Sequence, residues 1–163
     1  METLVGIHST KKEEIYQEII PQLESLLAGE ADLVANLANV SALLKMAFRD
    51  VSWVGFYLVK GGELVLGPFQ GKPACVRIKI GKGVCGAAAE HKKTIIVPDV
   101  NEFPGHIFCD PDSKSEIVVP LVQAGILLGV LDLDSSSLST FDAVDGKYLG
   151  QIAQILLPKF STN

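Results

Sequence analysis

No apolar run in this chain reaches the roughly 18 residues of a membrane-spanning helix, which argues against a membrane protein. Its start, METLVGIHSTKKEEIYQ, has no apolar signal-peptide region, and a cytoplasmic location is expected. A basic excess is also missing. Lys and Arg number 14 against 19 Asp and Glu, a net charge of −5, so nucleic acid is not expected as the main partner. Linkers, repeats and low-complexity tracts are absent. Cysteine is scarce and odd in number, with three and no C-x-x-C pair. The cytoplasm keeps thiols reduced, so a static disulfide framework is not expected; reactive or plain buried thiols remain. Zinc held by the cysteines with His91 or His106 is disfavoured, because ten positions separate Cys75 from Cys85 and 24 separate Cys85 from Cys109. No metal is expected.

What is present fits one domain over residues 1–163, with 48% hydrophobic and 20% charged residues. Ile15, Ile19, Leu23, Leu26 and Leu27 recur at helical spacing in an amphipathic helix over about 11–28, which Pro21 is expected to kink or split. Asp32 is a good N-cap for a second helix reaching about Arg49. The period then changes. VSWVGFYLVK and ELVLGPFQG read as a hairpin around Gly61-Gly62, and CVRIKI as a third strand from Cys75 to Ile80. A short helix over about 83–92 follows, then a brief strand, TIIVPDV, and a long polar loop over 101–115. A second hairpin turns at Ala124-Gly125, and a last helix begins at Ser139 or Thr140. The predicted class is α+β, with a mainly antiparallel sheet and helices packed on it.

The chain is organised around the stretch from Cys75 to Glu116, which holds all three cysteines and two of three histidines. Gly81 to Gly86, GKGVCG, matches G-x-G-x-x-G literally. That motif needs a buried parallel strand, and VRIKI carries Arg77 and Lys79 on one face, so a dinucleotide site is disfavoured. A tight turn, or free helix N–H groups holding a small anion, fits better. Cys85 falls in the first turn of that helix, where the dipole favours thiolate. Cys109 lies in a polar loop beside Asp110 and Asp112, reachable by a small molecule. Two reachable thiols suggest redox chemistry on a small substrate.

Asp132 and Asp134 are two apart and share one strand face, and the Ala124-Gly125 turn brings Glu116 near Asp134. Three such carboxylates repel. They form either a solvated strand end or a site for a cationic ligand and a shared proton.

These residues carry a resemblance. WVGFY at 53–57, GPFQGKPAC at 67–75, GVCG at 83–86, FPGHIFCD at 103–110, the Ser115-Glu116 step to Pro120, and LDLDS at 131–135 resemble the free methionine-(R)-sulfoxide reductases. These are stand-alone members of the GAF-domain superfamily, and the likeness covers nearly the whole chain. It implies a GAF fold with a six-stranded antiparallel sheet. It implies reduction of free methionine-(R)-sulfoxide to methionine, with no bound cofactor and with electrons from thioredoxin. The attacking cysteine corresponds to Cys109, and the recycling one to Cys85 or Cys75. The substrate pocket corresponds to Trp53, Tyr57, Glu116, Asp132 and Asp134.

The chemistry of the residues suits these roles. A thiolate attacks sulfur, an acid protonates the departing oxygen, and a second thiol condenses the sulfenic acid to a disulfide. Thiolate character at a helix start favours Cys85 as that second thiol, with Cys75 as the alternative. The competing function is a sensing GAF module that binds a small molecule without chemistry. Such modules usually join an output domain, and 163 residues are expected to hold one domain. Outside the core pattern, the first amphipathic helix is a candidate for pairing two chains into a dimer.

Overall fold

The structure, a computed structural model, describes residues 6–107 and 109–161. The first five residues and Phe108, the aromatic neighbour of Cys109, lie outside the described residues. Four helices and six strands follow in the order α1 (Lys12–Leu27), α2 (Leu33–Ala47), β1 (Trp53–Lys60), β2 (Glu63–Gln70), β3 (Arg77–Ile78), α3 (Gly83–His91), β4 (Ile95–Val97), β5 (Ser115–Gln123), β6 (Ile126–Ser135) and α4 (Ala143–Leu156). The strands form one sheet in the order β3-β2-β1-β6-β5-β4. Every pairing is antiparallel, so no parallel strand supports the dinucleotide reading of GKGVCG.

The strand period of two divides the sheet into two faces with different work. Val54, Phe56, Ile117, Val119, Leu131 and Leu133 point one way, into the main core with α1, α2 and α4. Trp53, Tyr57, Val118 and Val130 point the other way, into a second cluster with Val84, Cys85 and Ala88 of α3. Asp132 and Asp134 alternate with Leu131 and Leu133, so both carboxylates fall on the α3 side.

Local chemistry explains the element ends. The Asp32 side chain accepts from Ala35 N at 2.8 Å and caps α2 as expected. α4 begins at Ala143, not at Ser139 or Thr140. Its cap is Asp142, in a reciprocal box with Asp145. Pro21 does not split α1, which runs unbroken from Lys12 to Leu27. Its buried face holds it in place: Tyr16, Ile19, Leu23 and Leu27 pack in the main core. The Tyr16 hydroxyl donates to Asp145 at 2.8 Å, and Lys12 pairs with the same carboxylate. The apolar stripe expected to join two chains is therefore consumed inside one.

The third strand is shorter than expected. β3 is only Arg77–Ile78, and Cys75 lies in the irregular segment before it. The polar loop contains a 3-10 turn at Val100–Glu102 and ends at Ser115, where β5 begins. No described helix is long and apolar enough to cross a membrane.

Candidate active site

The α3 face of the sheet, the segment before β3 and the loop before β5 enclose a small cavity. Antiparallel register assembles its floor. Trp53 lies opposite Asp134 across β1 and β6, and Gly55 lies opposite Asp132. On the other side of β6, Glu116 of β5 lies opposite Asp134 and Val118 opposite Asp132. The expected approach of Glu116 to Asp134 is thus a direct cross-strand pair. The sequence placed three acids on one face of this hairpin, and all three line the cavity.

Close backbone approaches place the walls. Trp53 stacks on Phe69 with ring centroids 5.3 Å apart and reaches Tyr57 at 6.1 Å. Its indole Nε1 donates to Lys72 O at 3.0 Å. Gly71 makes room for this ring: a Cβ there would sit 2.5 Å from Trp53 Cδ1, and its φ of 139° suits glycine. The Tyr57 hydroxyl donates to Cys75 O at 3.0 Å, and burial among acids pushes its pKa up. On α3, a Cβ at Gly86 would stand 2.5 Å from Lys79 O, so glycine is what lets the helix start lie against the preceding turn. That places Cys85, in the first turn, over the acids.

The cysteines behave differently from one another. Cys75 and Cys109 form a disulfide, with Cα atoms 5.4 Å apart. Both sit on irregular segments, and Lys72 clasps the two segments together. Its ammonium lies 2.6 Å from Asp112 and 3.3 Å from Asp110. Cys85 is free and buried. This corrects the expectation that Cys85 would be the thiolate that joins Cys109. Burial is the largest effect on Cys85, followed by the charges of Asp132 and Glu116, and together they push its thiol up. The helix dipole, worth under about 1 kcal/mol in most settings, does not outweigh desolvation beside two acids.

The acids are as strongly perturbed. Glu116 and Asp132 are each 5% exposed. Burial raises both well above the carboxylate range, and neighbouring Asp134 adds to it. Asp134 is pushed up to about 6, chiefly by burial, although Ser113 Oγ donates to its Oδ1 at 2.7 Å and opposes the shift. Cys85 Sγ stands 3.9 Å from Glu116 Oε1. The reading of these acids as a solvated strand end is therefore wrong; Glu116 and Asp132 are buried, Asp134 is half-buried, and all three face one cavity. At neutral pH such a group keeps at least one proton while offering negative charge to a cation.

Three contributors escaped the sequence. Ser113 reaches Asp134 from the polar loop. His106, weighed only as a zinc ligand, sits with Nδ1 3.8 Å from Glu116 Oε2, and burial lowers its pKa. Lys72 acts from three residues before Cys75. None belongs to a periodic pattern; GKPAC, FPGHIFCD and the loop between Cys109 and Glu116 were the only pointers.

The cavity volume is about 50 Å³. The disulfide form leaves room for water beside the acids.

Comparison with known proteins places this geometry among relatives. The GAF domain family matches residues 13–156. The chain is 56% identical over 151 residues to GAF domain-containing protein A of Dictyostelium discoideum, covering 92% of this chain and 95% of that one. It is 48% identical over 141 residues to the free methionine-R-sulfoxide reductase of Escherichia coli, covering 86% of each. The solved free methionine-R-sulfoxide reductase of Neisseria meningitidis, in complex with its substrate, superposes with a TM-score of 0.94 at 50% identity, covering 97% of this chain and 95% of that one.

Proposed function

We infer the activity from one premise: the chain belongs to the GAF domain family and, within it, to the free methionine-R-sulfoxide reductases. It is an oxidoreductase that reduces free methionine-(R)-sulfoxide to methionine. The observation that carries this reading is the Cys75–Cys109 disulfide closing over Glu116, Asp132 and Asp134. A sensing module needs neither the disulfide nor three acids on one cavity wall.

The roles follow from placement. In the reduced protein the loop bearing Cys109 moves away from Cys75, which opens room for substrate between Trp53 and the acids. An ionised carboxylate of the trio holds the substrate ammonium. Trp53 offers its ring to the methyl group and sulfur. The Cys109 thiolate attacks the sulfoxide sulfur, and a protonated carboxyl of the trio supplies the proton taken by oxygen. Oxygen passes to Cys109, whose sulfur is oxidised by two electrons. The methionine sulfur is reduced by the same two. The products are methionine and a sulfenic acid on Cys109. The Cys75 thiol then displaces the hydroxyl as water, forming the disulfide. We assign recycling to Cys75 and not to Cys85.

A dithiol must return two electrons by exchange, and thioredoxin is the partner proposed for that step, with no bound cofactor and in the cytoplasm. A dimer remains a proposal without α1 to motivate it; sedimentation at micromolar concentration decides it. The activity is tested by mixing protein, thioredoxin, its reductase, NADPH and the free sulfoxide. Loss of NADPH absorbance is expected; a flat trace with a competent thioredoxin system rejects the assignment.

A further inference from the structure

We propose that Cys85, Glu116 and Asp132 form a binding site for one divalent cation of the zinc class, and that this ion competes with the substrate ammonium. The competition rests on the activity inferred above; the site does not.

Ligand atoms of Cys85, Glu116 and Asp132 lie within 4.8 Å of one another, and all three residues are buried. Bonds near 2.0 Å to oxygen and 2.3 Å to sulfur set tetrahedral ligands about 3.3–3.7 Å apart. Contraction of about 1 Å therefore brings three ligands onto one ion, with water at a fourth position. A second observation points the same way. Asp132 is 5% exposed, yet its Oδ1 is buried and accepts no hydrogen bond among the described residues. The partners of this carboxylate are Cys85 and Glu116, the two other ligands, and the remaining oxygen is an acceptor that a cation satisfies. The ion pairs of the described residues bring no lysine or arginine to Glu116 or Asp132.

The donor set selects the metal. One thiolate with two carboxylates suits zinc or cadmium better than magnesium or calcium, which prefer oxygen alone. On binding, the Cys85 thiol proton and the proton shared by the carboxyls leave to water. A cavity of about 50 Å³ holds an ion in the disulfide form. Sequence spacing misses this set because its members come from α3, β5 and β6.

The test uses the full chain in its disulfide form, where Cys75 and Cys109 cannot bind metal. Titration with Cd²⁺ should give the ultraviolet thiolate-to-cadmium band at one ion per chain. Cys85→Ser should abolish the band, with circular dichroism unchanged. Asp132→Asn should keep the band and weaken affinity about tenfold, which guards against a misfolded Cys85 variant. No band on the wild type, binding without the band, or a band that survives Cys85→Ser overturns the site. Competition is read in the Cys75→Ser, Cys109→Ser double variant, which cannot turn over. Saturating free sulfoxide should weaken Cd²⁺ binding at least tenfold. Unchanged affinity in a variant that binds the sulfoxide overturns the shared site. Failure of that variant to bind sulfoxide counts against the proposed activity and leaves the metal titration standing.

Discussion

Glu116 and Asp134 face each other directly across the β5–β6 ladder, two carboxylates in one pocket. Like charges in that position cannot both ionise cheaply, and burial adds to the cost. Glu116, Asp132 and Asp134 therefore act as a unit. Glu116→Gln, Asp132→Asn and Asp134→Asn should each lower turnover by about 10²–10⁴-fold, the usual range for losing a positioned acid. The Glu116→Gln, Asp134→Asn double variant should lose less than the product of the two single losses. Steady-state assays of all four proteins check this; three fully active amides would reduce the acids to structure.

The same burial makes stability depend on pH. Asp134 rises from its ordinary 3.8 to about 6. Between those values the folded protein binds more protons than the unfolded chain, so stability falls as pH rises through about 6. The loss is complete above that pH and absent below about 4. Asp134→Asn removes this penalty. The difference in unfolding free energy between variant and wild type should shift in favour of the variant by on the order of 2 kcal/mol from pH 4 to pH 8. Urea unfolding at both pH values measures it; a pH-independent difference would place Asp134 outside the perturbed set.

Much of the fold was legible because its signals are local and periodic. Alternation in LDLDS put Asp132 and Asp134 on one face, and the turn at Ala124-Gly125 fixed Glu116 beside Asp134. Asp32 capped α2 as its side chain dictates. The misreadings share a different cause. Pro21 is overridden by tertiary packing of Tyr16, Ile19 and Leu23. Cys85 was judged by its helix position, whereas residues 31 and 47 positions away set its environment. The pairing of Cys75 with Cys109 depends on two irregular segments meeting, for which sequence carries no period.

Lys72 clasps those segments through Asp110 and Asp112. The ammonium is exposed, where solvent screens such pairs, so Lys72→Met should leave stability nearly unchanged. The effect should fall on closure. After one equivalent of substrate, methionine release should be unchanged while disulfide formation slows, seen as slower loss of free thiols. Equal rates in variant and wild type would confine Lys72 to the surface.

A pocket with one aromatic wall and one acidic wall is asymmetric about the substrate sulfur. Racemic free sulfoxide should stop near half conversion, and chromatography of the remaining isomer should find the S form. Methionine sulfoxide inside a peptide lacks the free ammonium that the acids hold, and should be inert. Steady turnover of such a peptide would rule out recognition through the amino group.

The central claim is that Cys109 attacks substrate and Cys75 closes the cycle. Reduced protein is mixed with one equivalent of free methionine-(R)-sulfoxide, quenched by alkylation and mapped by mass spectrometry. One methionine per chain, a peptide bridged through Cys75 and Cys109, and an alkylated Cys85 are the predicted result. A bridge between Cys85 and Cys109, with Cys75 alkylated, would contradict it.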